Sequence, residues 1–205
     1  MKKRISIVLI VASVLLVGGC YPHGPEYVEE MDVVLTKHND EYDFTAKATY
    51  AMPDKIVKIT GDVMEGEEPS FIPDINAQVI LGTIADNMGD LGWVRVDVED
   101  DPDILLLPAA WETTTIYYYY DYWYWWYGGY WGWYYPYYPP VYTSSYTTGS
   151  LLMSITDPNI VSTDGNRINQ WSGLVNGLLT GYFDASRINE AIDKAFAISP
   201  YLKTN

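Results

Sequence analysis

The sequence predicts an α+β fold, a two-layer sandwich in which two amphipathic helices cover one face of a mainly antiparallel sheet. Two segments, 73–92 and 184–198, place apolar residues at helical spacing. The segments between them read as short strands joined by long loops or hairpins. The third observation is an aromatic-rich stretch, residues 117–142, which we expect to form a long hairpin or loop attached to the sheet.

Before the first helix, three short segments predict strands. Residues 32–36 are a short apolar run, and residues 44–52 are extended in character up to Pro53. Residues 56–60 alternate apolar and cationic side chains, which is typical of a half-exposed strand.

The first helix is predicted to begin at Pro73-Asp74, a typical start signal, and to end at Gly92, a typical stop. Residues 93–97 then alternate as a short strand. The apolar stripe of the helix consists of Ile80, Ile84, Met88 and Leu91.

Two longer strands are predicted on either side of the aromatic stretch. Residues 104–107 are a compact apolar run that continues through Trp111 to Thr115. Strand character resumes over 146–155, and we expect Asp157-Pro158-Asn159 to end it.

The last part of the chain predicts one strand and one helix. Residues 167–179 also fit a helical period, but their context favours a strand. The closing helix is expected from Asp184 to Ile198, capped by Asp184 or Ser186 and ended by Pro200. Its apolar stripe consists of Ile188, Ile192 and Phe196.

The first 19 residues predict a signal peptide. Lys2, Lys3 and Arg4 precede the apolar stretch 5–17, which at about 1.5 Å per residue is shorter than the ~30 Å of bilayer hydrocarbon. A cleaved export signal is therefore expected, not a membrane span.

The end of this segment resembles a bacterial lipobox. Leu16 and Val17 are followed by Gly18 and Gly19 and then by Cys20, the only cysteine of the chain. In proteins with this motif the cysteine thiol is diacylated, the chain is cut before it, and the new amine is acylated. An ordinary secretory signal with a stray cysteine is the alternative. Two or more acyl chains would make the membrane anchor effectively permanent.

The charge of the mature chain limits its partners. Removing residues 1–19 leaves 9 Lys and Arg (12 − 3) against 27 Asp and Glu, a net charge of −18. Such a charge repels nucleic acid and anionic headgroups, so we expect no nucleic acid partner and membrane attachment only through the N-terminal lipid. Tyr21 stands where the best-known inner-membrane retention signal has Asp, which favours the outer membrane without indicating a leaflet.

Three regions follow from these signals. Residues 1–19 are the expected lipoprotein signal peptide, and residues 20–30, rich in Pro, Gly and Glu, are a lipidated tether. Residues 31–205 are a single α+β domain with the Tyr/Trp-rich insert 117–142. With one cysteine, no intrachain disulfide is available.

Several short motifs occur in a characteristic order along the mature chain. They are Asp43-Phe44 to Tyr50-Ala51, Leu91-Gly92-Trp93, Pro102-Asp103-Ile104-Leu105-Leu106, Gly149-Ser150-Leu151 leading to Asp157, Trp171-Ser172-Gly173, and a final helix ending near Pro200. This order resembles the family catalogued as domain of unknown function 4136. The resemblance implies a lipoprotein of the Gram-negative envelope, often with a Tyr/Trp/Gly/Pro-rich insert at this place. It implies no catalytic residues. The acidic insertion 65–68 and the density of aromatic residues depart from the family pattern.

Few residues suit catalysis, and we expect a protein that is not an enzyme and has no cofactor. The only histidines are His23 in the tether and His38 in a turn, so a nucleophile lacks a convincing base. No glycine-rich phosphate loop is present. The run from Asp97 to Asp103 imitates part of a calcium loop, but Pro102 and Pro108 stand where Gly and Glu are needed, so a solvated acidic turn and no metal are expected.

The insert 117–142 is the strongest functional lead. Tyr or Trp occupies 18 of its 26 positions, and Asp121 is the only charge between Thr113 and Thr156. Its rings could pack on each other and on the domain, bind a protein or envelope glycan, or rest at the membrane interface. The candidate binding surface consists of Tyr122, Trp123, Trp125, Trp126, Tyr130, Trp131, Trp133 and Tyr134.

The sequence thus predicts a non-enzymatic envelope lipoprotein that uses an aromatic hairpin for binding or assembly. One alternative is a purely structural insert in a domain that binds a small apolar ligand or lipid. A second alternative is an envelope hydrolase acting on glycans, although nothing in the spacing of the acids selects a catalytic pair.

Overall fold

The fold is given by a computed structural model, which describes residues 34–59, 70–111, 149–161, 163, 167–177 and 183–205. The chain divides into two compact units, Met1–Met31 and Asp32–Asn205, and every described residue belongs to the second. The predicted signal peptide 1–19, tether 20–30 and aromatic insert 117–142 lie outside the described residues.

The described residues form an α+β domain with an open eight-stranded sheet and two α-helices. The strand order is β1-β8-β7-β6-β2-β5, with β3 also beside β6 and β4 beside β3. The strands are β1 (Val34–His38), β2 (Thr49–Ala51), β3 (Val57–Ile59), β4 (Ser70–Phe71), β5 (Val94–Arg95), β6 (Ile104–Trp111), β7 (Ser150–Val161) and β8 (Arg167–Val175).

The long strands of the sheet pair antiparallel, as expected. β6 pairs with β7 from Leu105↔Thr156 to Trp111↔Ser150, β7 pairs with β8, and β8 pairs with β1. The ambiguous segment 167–179 contains a strand over its described part, which confirms that prediction.

The expected end of β7 at Asp157-Pro158-Asn159 was wrong. β7 continues to Val161, with register shifts between Ile155 and Thr156 and between Thr156 and Val161. A bulge takes up extra residues without ending a strand, and it can contain a proline because its residues need not donate to the ladder. The turn signal therefore marks a bulge.

Most pairings of the shorter strands are parallel, which the prediction of a mainly antiparallel sheet did not include, whereas β4 pairs antiparallel with β3. β2 runs parallel to both β5 and β6, and β3 runs parallel to β6. Helix α1 (Asp74–Asp90) lies in the chain between β2 and β3 on one side and β5 and β6 on the other. A helical crossover returns the chain to the same end of the sheet, so the strands after it run parallel to those before it.

Both predicted helices are confirmed. Helix α1 follows Pro73 and ends at Asp90, with Leu91 as its C-cap, and Gly92 takes a left-handed φ of 94° directly after Leu91. Helix α2 (Ala185–Ala197) is capped by Asp184, whose carboxylate accepts hydrogen bonds from the backbone N–H groups of Ser186 and Arg187 at 2.9 and 3.3 Å. These local caps explain why the helix bounds were predictable.

The two helices pack with one face of the sheet in a single apolar core. Alternate strand residues such as Leu106 and Met153 belong to it together with Ile84 of α1 and Ile192 of α2. Trp171 lies at its centre, where its indole N–H donates to the Ser199 hydroxyl at 3.0 Å. Within the described residues, no helix is both long and apolar enough to cross a lipid bilayer.

Candidate functional site

The opposite face of the sheet carries a second apolar cluster, which we call the second face. Strand side chains alternate between faces, so Leu105 and Leu107 point away from the core that contains Leu106. Its buried members are all 6% exposed or less, and they are Ala51, Val57, Ile59, Leu105, Leu107, Ala109, Trp111, Leu152 and Leu174. Among the described residues the cluster consists only of sheet side chains and the adjoining Val98, and neither helix contributes to it.

The segment that contains the aromatic insert joins the sheet where β6 ends and β7 begins, beside Trp111 of the second face. Trp111, the last residue of β6, pairs with Ser150, the first residue of β7. Gly149 donates its backbone N–H to the Trp111 carbonyl at 2.6 Å and takes a φ of 81°, which favours glycine. The chain between them, residues 112–148, therefore leaves and re-enters the sheet at neighbouring positions.

Farther along β7 and β8 the second face becomes polar. Ser154 pairs with Ser172, and the Ser172 hydroxyl accepts a hydrogen bond from the Asn169 amide at 2.7 Å. The Ser154 hydroxyl oxygen is buried and has no hydrogen-bond partner among the described residues. Leaving a buried hydroxyl unpaired costs about 1–3 kcal/mol of stability, so this group indicates a hydrogen-bond partner that the described sheet does not provide.

A buried charge cluster lies at the bulge of β7. The Asp157 side chain is only 1% exposed and pairs with the Lys47 ammonium at 2.8 Å. The same carboxylate accepts hydrogen bonds from the Tyr42 hydroxyl at 2.9 Å and from the Asn159 backbone N–H at 2.8 Å. Burial, together with the hydrogen bond to Asp157 and its negative charge, raises the pKa of Tyr42. Both carboxylate oxygens of Asp157 thus contact groups of the bulge or of residues 42–47.

The acidic segment before β6 is only partly the solvated turn that the sequence predicted. Asp97, Glu99 and Asp100 are exposed, but Asp103 accepts hydrogen bonds from the Ala48 N–H, the Thr49 N–H and the Thr49 hydroxyl at 2.9–3.0 Å. Burial raises the pKa of Asp103, but these hydrogen bonds and the nearby Lys47 outweigh it and hold the pKa below its usual value. Asp103 thereby ties β2 to the start of β6.

A groove of about 370 Å³ lies beside the short edge strand β5. Arg95 lines it and donates a hydrogen bond to the Met52 carbonyl at 2.8 Å, with Asp54, Asp97 and Glu99 around it. Among the described residues, no group of three or more His, Cys, Asp or Glu side chains is positioned to hold a metal ion. The groove is lined by a guanidinium that is hydrogen-bonded to the backbone and by three exposed carboxylates, and its lining residues include no nucleophile.

His38 was predicted to lie in a turn, and this was wrong. It is the last residue of β1, and its ring stacks on Tyr201 with centroids 3.6 Å apart and planes inclined by 21°. Its Nε2 lies 3.1 Å from the carboxylate of the exposed Asp40. The stacking partner is 163 positions away in the chain, so no local sequence signal could indicate it.

The predicted site residues lie outside the described residues, so the structure does not bring them together or separate them. They are Cys20, Tyr122, Trp123, Trp125, Trp126, Tyr130, Trp131, Trp133 and Tyr134. His23 also lies outside. The second face and the Asp157 cluster were not predicted. The continuous apolar run of β6 was a usable signal for the former.

The sequence profile of one protein family, described as a domain of unknown function (DUF4136), matches residues 34–201. The chain belongs to the DUF4136 family. The resemblance of its motif order to that family is thereby confirmed. Among curated proteins, none matches the chain.

Solved structures resemble this DUF4136 chain over most of its length. A DUF4136 family protein from Bacteroides thetaiotaomicron is 25% identical, with a TM-score of 0.64, over 84% of this chain and 97% of that chain. The PelC dodecamer from Paraburkholderia phytofirmans is 14% identical, with a TM-score of 0.42, over 85% of this chain and all of that chain. The Bacteroides structure is similar in fold to the described sheet and helices.

Proposed function

We propose that this DUF4136 protein is a non-enzymatic, lipid-anchored envelope protein whose aromatic insert binds a partner at the cell envelope. The observation that carries the proposal is the pairing of β6 with β7. These strands are the two on which the insert is mounted, and all eight residues of β6 are buried. A loop held at both ends by a rigid hairpin is a favourable place for recognition.

The composition of the insert suits binding. Tyr and Trp provide large, rigid contact surfaces that lose little conformational entropy on binding, and they dominate binding hot spots. Residues 117–142 contain 18 of them and one charge. In this proposal the helices and the sheet form two layers, and the insert extends from the sheet as an aromatic-rich hairpin or loop.

The anchor is assigned to Cys20, with the domain held at the outer membrane. The net charge of the chain, −15 over all 205 residues, disfavours docking on anionic headgroups, so attachment depends on the lipid. Metabolic labelling with radioactive palmitate tests this assignment. The wild-type chain should be labelled and Cys20→Ser should not. Equal labelling of the two chains would contradict it.

Binding is tested with a ring-free variant, in which all 18 Tyr and Trp residues of 117–142, the eight candidate residues included, are replaced by Ser without changing its length. Isolated peptidoglycan sacculi, neutral phospholipid vesicles and the chain itself are the three probes, measured by co-sedimentation and by sedimentation velocity. We expect the variant to keep its far-UV circular dichroism and to lose at least one of the wild-type interactions by about 10-fold or more. Wild-type behaviour of the ring-free variant with all three probes would refute the proposal.

A further inference from the structure

We propose that the second face of the sheet is the docking surface for the chain's own segment 112–148, which contains the aromatic insert 117–142. Its buried members come from β2, β3, β6, β7 and β8, and no helix belongs to the cluster. The face is nevertheless as well buried as the core under the helices, since Ala109 and Leu174 are both fully inaccessible. A sheet that is apolar on both faces needs a cover on both faces.

The position of the insert makes it the natural occupant. Trp111 is itself a member of the second face, and segment 112–148 begins at the next residue and ends beside Gly149. From Trp111 to Leu105 the face extends over six residues, roughly 20 Å along β6 at about 3.3 Å per residue. Residues 112–148 number 37, so half of them could span roughly 60 Å fully extended. The insert can therefore cross the whole face and return.

The chemistry of the insert matches the chemistry of the face. Segment 112–148 contains two charged residues, Glu112 at its start and Asp121, so little charge would have to be desolvated on docking. Each Tyr or Trp ring can bury about 150–250 Å² of surface, and the second face offers aliphatic side chains of the kind that rings pack against.

The polar end of the second face supplies an independent observation. The Ser154 hydroxyl is buried and has no hydrogen-bond partner among the described residues. A Tyr hydroxyl or a Trp indole N–H of a docked insert combines an apolar ring with the polar tip that such a hydroxyl needs. An aliphatic occupant would leave Ser154 unpaired. This docking is independent of the proposed function, because a docked insert still presents its outward rings.

Adjacent alanines of β6 provide a matched test. Ala109 belongs to the second face and Ala110 to the core under the helices, and both are buried. Ala109→Cys and Ala110→Cys are made separately in the full-length chain carrying Cys20→Ser, so that each engineered thiol is the only one. The rate of alkylation by iodoacetamide is measured with the wild-type insert and with the ring-free insert.

We expect both thiols to be protected when the insert is intact. With the ring-free insert, the thiol at 109 should react at least about 10-fold faster, while the thiol at 110 stays protected by the helices and reports that the domain is folded. Protection of 109 that survives loss of the rings would overturn the docking. So would rapid reaction at 109 in the intact monomer, or protection that disappears on dilution, because then a second copy covers the face.

If both thiols react in the ring-free variant, that variant is unfolded, and a measurement on the intact chain decides. Chymotrypsin cleaves after aromatic residues, and the insert contains many sites. A docked insert should be cleaved only as fast as the domain unfolds, so its cleavage rate should rise with urea along the unfolding transition. Rapid cleavage within the insert of a folded chain in the absence of urea would overturn the proposal.

Discussion

Replacing Asp157 by Ala should destabilise the domain more than any change to a surface acid. The carboxylate is 1% exposed, pairs with Lys47 at 2.8 Å and accepts hydrogen bonds from Tyr42 and from the Asn159 backbone at 2.9 and 2.8 Å. The substitution leaves the Tyr42 hydroxyl and the Asn159 N–H without this acceptor and the ammonium of Lys47 without its counter-charge.

The magnitude follows from these contacts. Each hydrogen bond to a charged group contributes about 1.5–3 kcal/mol, and removing one partner of a buried ion pair costs about 3–5 kcal/mol. Lys47 is 24% exposed and can turn towards water, so the terms do not add fully. We expect a loss of about 3–5 kcal/mol of unfolding free energy, which for a domain of this size lowers the Tm by about 6–20 °C.

The assay is urea unfolding followed by far-UV circular dichroism, with Asp40→Ala as the matched control. Asp40 also has a side-chain partner, His38 at 3.1 Å, but its side chain is 92% exposed, so its loss should change the unfolding free energy by no more than about 0.5 kcal/mol. Tyr42→Phe should lower the unfolding free energy by about 1–2 kcal/mol in the wild-type chain. The loss should be smaller in the Asp157→Ala variant, because the hydrogen bond between Tyr42 and Asp157 is already absent there. An Asp157→Ala midpoint equal to that of Asp40→Ala would refute the reasoning.

Three further predictions concern single contacts. Gly173→Ala should lower the unfolding free energy by about 1–3 kcal/mol, because its methyl group would lie 2.6 Å from the Trp171 ring. In helix α1 the methyl group of Gly82→Ala would meet nothing within 4 Å, so this change should raise the unfolding free energy by about 0.5–1 kcal/mol. Equal urea midpoints for the two variants would contradict this. Asp184→Ala should cost about 1 kcal/mol through loss of the α2 cap, and an unchanged midpoint would exclude the cap as a contributor. Asp103 has a folded pKa below its unfolded value of 3.8, so the stability that it contributes is present above 3.8 and is lost as the pH falls from there through the lower folded pKa. Unfolding free energy should therefore fall more steeply with acidification below about pH 4 in the wild type than in Asp103→Asn, and parallel pH profiles would contradict the assignment.

Sequence patterns predicted the helices well because their ends are set by neighbours in the chain. Asp184 caps α2 through N–H groups two and three residues ahead, and Gly92 ends α1 with a left-handed φ. The long strands were also recognisable as apolar runs. Signals of this kind lie within one window of sequence, which is where periodicity and capping rules apply.

The features that were missed depend on contacts between distant residues. Tyr42 and Asp157 are 115 positions apart, so nothing near Asp157 distinguishes a buried acceptor from the turn that Asp-Pro-Asn usually marks. The parallel pairing of β3 with β6 is equally non-local. Its one available signal was the position of α1 between strands on both sides, since a strand, a helix and a further strand favour a parallel crossover.

The burial of β6 on both faces affects how the rings of the insert can pack. A sheet with one solvated face alternates apolar and polar residues along its strands, but Ile104–Trp111 is apolar at every position and buried at every position. Consecutive rings of an aromatic strand project to both faces, which is a difficulty only if a single face of the sheet is available for packing. The second face provides an apolar surface for one set of these rings, because it includes Trp111 and neither helix contributes to it. An insert docked there would bury one set of rings against Leu105, Leu107 and their neighbours, and the rings of opposite orientation would form the surface available to a partner.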